Sequence, residues 1–147
     1  VLLFGSSIPV CAEEVEPAGY HVYDVQDGEV SDTWYGIARG DYLRAGISKL
    51  THGDKGYAVC SGTTFAHRSF ERVYVRIYLD KSDTGTGSWS TLNYWTKITN
   101  NNSSATVEGG PYKITRDKYY RVTGTHSVTQ DGKTETTGTC TDALYFE

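Results

Sequence analysis

The chain lacks methionine and has only three prolines and three cysteines in 147 residues. With Met absent and Gly, Thr, Ser and Tyr abundant, the composition suits short strands and turns better than helices. Three cysteines are too few for a disulfide-dense scaffold, and the length suffices to bury one core without many staples or a metal. No apolar stretch is long enough to cross a bilayer as a helix. A basic excess is missing as well. The formal net charge is −4, and Glu13, Glu14, Glu16, Asp24, Asp27, Glu29 and Asp32 fall in a segment with no Lys or Arg. A nucleic-acid binder needs a basic face to displace counterions from phosphates, so this charge balance argues against one.

The chemical motifs of common enzymes are also absent. The sequence contains no Gly-x-Ser-x-Gly elbow and no His-Glu-x-x-His pair. His21, His52, His67 and His126 are scattered singly, which predicts no metal site and no cofactor. A hydrolase would have to pair Cys60, or a serine, with His126. The bland alternative is a structural thiol and a satisfied strand histidine. Asp80-Lys81-Ser82-Asp83-Thr84-Gly85 spaces oxygen ligands like a calcium loop but lacks the closing bidentate Glu, so a solvated hairpin tip is expected. Arg39-Gly40-Asp41 spells a tripeptide that integrins recognise, a match that short length makes cheap.

What is present begins with Val1-Leu2-Leu3-Phe4 and Gly5-Ser6-Ser7-Ile8-Pro9-Val10-Cys11-Ala12. This order of apolar core, Pro-broken neck and small-residue site predicts the trailing part of a signal peptide over 1–12, cleaved after Ala12. The competing reading is a buried first strand. Export would leave Cys60 and Cys140 as an even pair, either one disulfide or two free thiols. Residues 13–41 carry Pro17 and several Gly without a sustained period, which predicts an acidic flexible arm with at most a short element around Thr33-Trp34-Tyr35.

From Tyr42 the pattern becomes alternation, so 42–147 is expected to be one all-β domain. The specific expectation is an immunoglobulin-like or fibronectin-like two-sheet β-sandwich of about seven strands. Leu43, Ala45 and Ile47 are expected to share one face of a first strand. In the clearest strand Val73, Val75, Ile77 and Leu79 face one way and Arg72, Tyr74, Arg76 and Tyr78 the other. The run Asn100-Asn101-Asn102-Ser103-Ser104 reads as a turn. Tyr120, Val122 and Val128 are expected inside, with Arg121, Thr123 and Thr125 outside. If the strand carrying Tyr119 and Arg121 lies beside the first, these side chains form an exposed platform of Tyr and Arg. Such a platform either stacks on sugars and pairs with acidic groups, or simply stabilises a solvent-facing sheet.

The run Tyr119-Tyr120-Arg121-Val122-Thr123-Gly124-Thr125-His126-Ser127-Val128, with Glu135 and a Thr-rich end, resembles an uncharacterised family of short exported proteins of Gram-positive bacteria. Gly62-Thr63-Thr64, the strand Val73 to Leu79 and Gly87-Ser88-Trp89 share the resemblance, which covers residues 42 to 146. It implies a secretory signal, a β-sandwich and no established activity, and it carries no catalytic residues. The expected role is a secreted, non-catalytic binding or surface-interaction module for an extracellular glycan, cell-wall polymer or protein.

Overall fold

A computed structural model describes residues 13–37, 42–54 and 56–147. The expected signal segment and Arg39-Gly40-Asp41 lie outside the described residues. Nine strands and no helix occur among them: β1 (Glu13–Val15), β2 (Gly19–Gln26), β3 (Glu29–Gly36), β4 (Leu43–His52), β5 (Tyr57–Ser82), β6 (Ser90–Lys113), β7 (Lys118–Gln130), β8 (Lys133–Cys140) and β9 (Leu144–Phe146). The all-β class is as expected. The strands form one curled sheet, ordered β1-β8-β7-β5-β4-β3-β2 with β6 on β5 and β9 on β7, instead of two separate immunoglobulin-like sheets. Every pairing is antiparallel except β1 with β8.

The curl depends on the length of β5. Its first half pairs β4 and its second half pairs β7, while β6 follows it along both halves. The register between β5 and β6 shifts between Phe65 and Phe70, where the hairpin turns a corner. Asn101, with φ of 53°, sits on β6 opposite that corner. The expected turn at Asn100–Ser104 is therefore a bend within one strand. Beyond the corner the sheet curls, so that β4 faces β7 and β8 across the interior. The inner surface forms one core containing Leu43, Leu50, Cys60, Phe70, Val73, Val75, Ile77, Leu79, Tyr120, Val122 and Val128.

Glycines let the two layers approach. A Cβ on Gly46 would stand 2.6 Å from the His126 ring, and one on Gly62 would collide with Ile77. These positions need glycine for lack of space, since neither has the positive φ of a turn. On β4 a bulge between Leu43 and Ala45 resets the alternation. After it Gly46, Ser48 and Leu50 face inward, so Ile47, expected to share a face with Leu43 and Ala45, is only half-buried and Ser48 is fully buried.

The acidic segment before Tyr42 also differs from expectation. It is not a flexible arm: β1 adds to β8, and β2 and β3 form a hairpin that extends the sheet from β4. Two features hid this from the sequence. On β3 the inward residues are Val30, Asp32 and Trp34, so a buried acid interrupts the apolar alternation. On β2 every residue is exposed, so it has no hydrophobic period at all.

Candidate functional site

The alternation of β5 places Arg72, Tyr74, Arg76 and Tyr78 on the outer surface, with Arg72 exposed and the other three half-buried. β7 lies beside them as expected, with Tyr74, Arg76 and Tyr78 opposite Ser127, Thr125 and Thr123. On the other flank β6 sets Ile98, Thr96 and Tyr94 opposite the same three residues. The Arg76 guanidinium lies 4.7 Å from the Tyr94 ring and 6.0 Å from the Tyr74 ring, and its Nε donates to Thr96 Oγ1 at 2.8 Å. Arg72 covers Tyr74 at 5.2 Å, and the Tyr78 and Tyr94 rings are 6.0 Å apart. A side-chain hydrogen bond with Tyr78 raises the Arg76 pKa, which keeps this group cationic.

Tyr119 and Arg121 form a neighbouring but separate cluster. Arg121 Nε bonds Asp80 Oδ2 at 3.2 Å, and its guanidinium lies 4.3 Å over the Trp89 ring. Tyr119 packs on Tyr145 at 5.0 Å, and Tyr145 donates to Asp117. The structure thus joins four of the six sequence candidates, Arg72, Tyr74, Arg76 and Tyr78, and leaves Tyr119 and Arg121 in the neighbouring cluster; Tyr94, Ile98 and Trp89 were missed. The available signal was the β5–β6 hairpin register, which the shift between Leu79 and Asp80 obscures. Asp80 is not free for a cation, because Thr91 Oγ1 donates to its other oxygen at 2.8 Å. Within the same loop Ser82 Oγ accepts from the Thr84 and Gly85 amides, so the tip closes on itself.

Cys60 and His126 are not brought together. Cys60 lies between Leu50 and Gly109, and burial pushes its thiol up to about 12. His126 lies across the layers under Gly46, and burial lowers its pKa to about 3. Both of its nitrogens are engaged: Nδ1 is 2.9 Å from Thr64 Oγ1 and Nε2 is 2.8 Å from Thr139 Oγ1. Cys60 and Cys140 are both free, which corrects the bridge considered above. Cys60 faces the core, whereas Cys140 sits on β8 opposite outward Thr123. The open apolar cleft of about 400 Å³ is lined by Gly53, Asp54, Tyr57, Val59 and Pro111, none of them a candidate from the sequence.

Residues 10–144 match DUF6147, a family of unknown function. The chain belongs to that family. No curated protein and no solved structure matches it. DUF6147 membership assigns no chemistry to the surface, so its reading rests on the residues themselves.

Proposed function

We propose that this DUF6147 chain is a secreted, non-catalytic binding module whose outer β5–β6 face takes an extracellular glycan or cell-wall polymer. The observation behind this reading is the Arg76 guanidinium held between the Tyr74 and Tyr94 rings. Interleaved rings and cations present flat apolar faces with polar rims, which suits stacking on sugar rings and pairing with their acidic substituents. Tyr94 is 54% exposed, far more than cross-strand packing needs. The curl of the sheet leaves this face outward. The Val10-Cys11-Ala12 site supports export.

The test is a pulldown on insoluble cell-wall material and immobilised glycans, comparing the native chain with Tyr74→Ala plus Tyr78→Ala. Each ring is worth about 1 kcal/mol on a stacked ligand, so the pair should weaken binding at least ~tenfold. Retention of the double variant at native levels would sink the platform, and absence of any bound polymer would sink the glycan reading.

A further inference from the structure

The hairpin β2–β3 holds an unusual concentration of exposed apolar groups: Tyr20 at 52%, Val22 at 46%, Tyr23 at 54% and Val25 at 61%, with Tyr35 and Ile37 beside them. All of β2 is exposed on both faces. Among the described residues it pairs β3 alone, so its other hydrogen-bonding edge meets no described strand. The Ile37 amide donates to the Ala18 carbonyl, so the even residues that follow direct their backbone groups to β3. Gly19, His21, Tyr23 and Val25 therefore direct their N–H and C=O groups away from β3, where no described residue bonds them.

The other sheet edges carry the defences that natural edges use against pairing. β6 contains Pro111, Lys97 and Lys113, bends at a corner and shifts register three times against β5. The β8 edge beyond β1 is capped where Asp32 Oδ2 accepts the Cys140 amide at 2.9 Å. β2 has no Lys, no Pro and no register shift across its eight residues.

We infer that β2 is the dimer interface of this protein, pairing antiparallel with β2 of a second copy about a two-fold axis through Val22. The alternation of faces allows only registers in which residues of like parity meet. With Val22 opposite Val22, His21 faces Tyr23 and Gly19 faces Val25 through the open backbone groups. On the outer surface Tyr20 faces Asp24, so no charge opposes its like. An Asp24-centred register would oppose the two carboxylates. One acidic residue on the strand, Asp24, with His21 already bonded to Asp32, offers little to select a strongly cationic foreign strand. An isologous pairing also consumes both copies of the edge and closes, whereas pairing onto β6 would propagate.

Sedimentation equilibrium of the purified chain should report twice the 16.3 kDa of one copy. Val22→Lys, which adds a charge on the axis, should give a monomer with an unchanged far-ultraviolet spectrum. A second measurement does not depend on that variant folding. In a Cys11→Ser, Cys140→Ser background, Val22→Cys should oxidise to a covalent dimer, since facing residues of a non-hydrogen-bonded pair bring their Cα atoms to about 4.5 Å. Asp24→Cys should not, because the two positions lie about 13 Å apart along the strands, beyond disulfide reach. A monomer at all concentrations would overturn the proposal, whichever other strand takes the edge. So would a dimer that survives Val22→Lys, or cross-linking at Asp24→Cys in place of Val22→Cys.

Discussion

Nε2 of His126 and Oγ1 of Thr139 lie 2.8 Å apart inside the curl, and the donor between them can be deduced. Thr64 Oγ1 donates to the Tyr74 carbonyl at 2.8 Å, so it must accept from His126 Nδ1–H. Nε2 is then the acceptor and Thr139 the donor, which leaves Ser48 Oγ to donate to Thr139 at 2.5 Å. One directional chain of hydrogen bonds thus links β4, β8, β7 and β5 in the dry interior. Thr139→Val would leave Nε2 and Ser48 Oγ buried without partners. It should cost about 1–3 kcal/mol in urea unfolding, while Thr139→Ser should stay close to native.

The same chain predicts how stability responds to acid. His126 has its pKa lowered from 6.5 to about 3, first by burial, so the folded protein keeps the ring neutral. In the unfolded chain it titrates near 6.5. Above that value neither state is protonated and the full stability is present. Below it only the unfolded state gains a proton, so stability falls between pH 6.5 and about 3. The slope from this group approaches ~1.4 kcal/mol per pH unit. Its NMR resonances should stay fixed from pH 7 to pH 4, and a titration near 6.5 in the folded protein would contradict the chain.

Asp32 performs the matching task at the edge of the sheet. It is fully buried, takes His21 Nδ1 at 2.8 Å, and accepts the Cys140 amide, tying β2, β3 and β8 together. Asp32→Ala removes both bonds and should lower stability by roughly 3 kcal/mol, the scale of hydrogen bonds to a charged group. His21→Ala should cost clearly less, because its ring is partly exposed. Equal losses in the two variants would mean that the bond to β8 contributes nothing.

Where one face is apolar throughout, the sequence was legible. Val73, Val75, Ile77, Tyr120 and Val122 are all fully buried as their alternation required. Where the interior is polar, it was not. Asp32, Ser48 and Thr139 are buried among hydrogen-bonding partners, and period-two hydrophobicity does not register such positions. The missed continuity of β5 and β6 has another cause. A strand that bends at a corner carries local turn residues such as Asn101, and only its partner shows that the ladder continues.

The platform shows the same division. Tyr74, Arg76 and Tyr78 were readable because one strand sets their spacing. Tyr94 was not, because it reaches Arg76 only through the hairpin register after the shift at Leu79 and Asp80. Arg121 was assigned to the right surface, yet Asp80 and Trp89 draw it into a different set of contacts.

Thiol chemistry should follow the burial of the two described cysteines. Cys60 is fully enclosed and its pKa is pushed up to about 12, so almost no thiolate forms at neutral pH. Cys140 is half-buried, with its pKa raised first by burial. Peptide mapping after maleimide treatment of the folded chain should find Cys140 modified well before Cys60, with Cys60 reacting only in denaturant. A Cys60–Cys140 peptide in a non-reducing digest would contradict the two separate environments.

The last prediction concerns the seam where the layers meet. Gly46 sits on β4 between Trp34 on β3 and Thr64 on β5, and its missing side chain is the space that the His126 ring fills. An alanine there would put Cβ 2.6 Å from the ring, and the ring cannot retreat without breaking its bonds to Thr64 and Thr139. Gly46→Ala should therefore destabilise by about 1–3 kcal/mol, the range for overpacking a filled core. At Gly132, a turn glycine with φ of 76° and no neighbour within reach of a Cβ, alanine meets only backbone strain. That cost should be roughly 1 kcal/mol. Urea unfolding of the two variants separates crowding from conformation, and a Gly46→Ala protein as stable as the native chain would mean that the layers do not meet at His126.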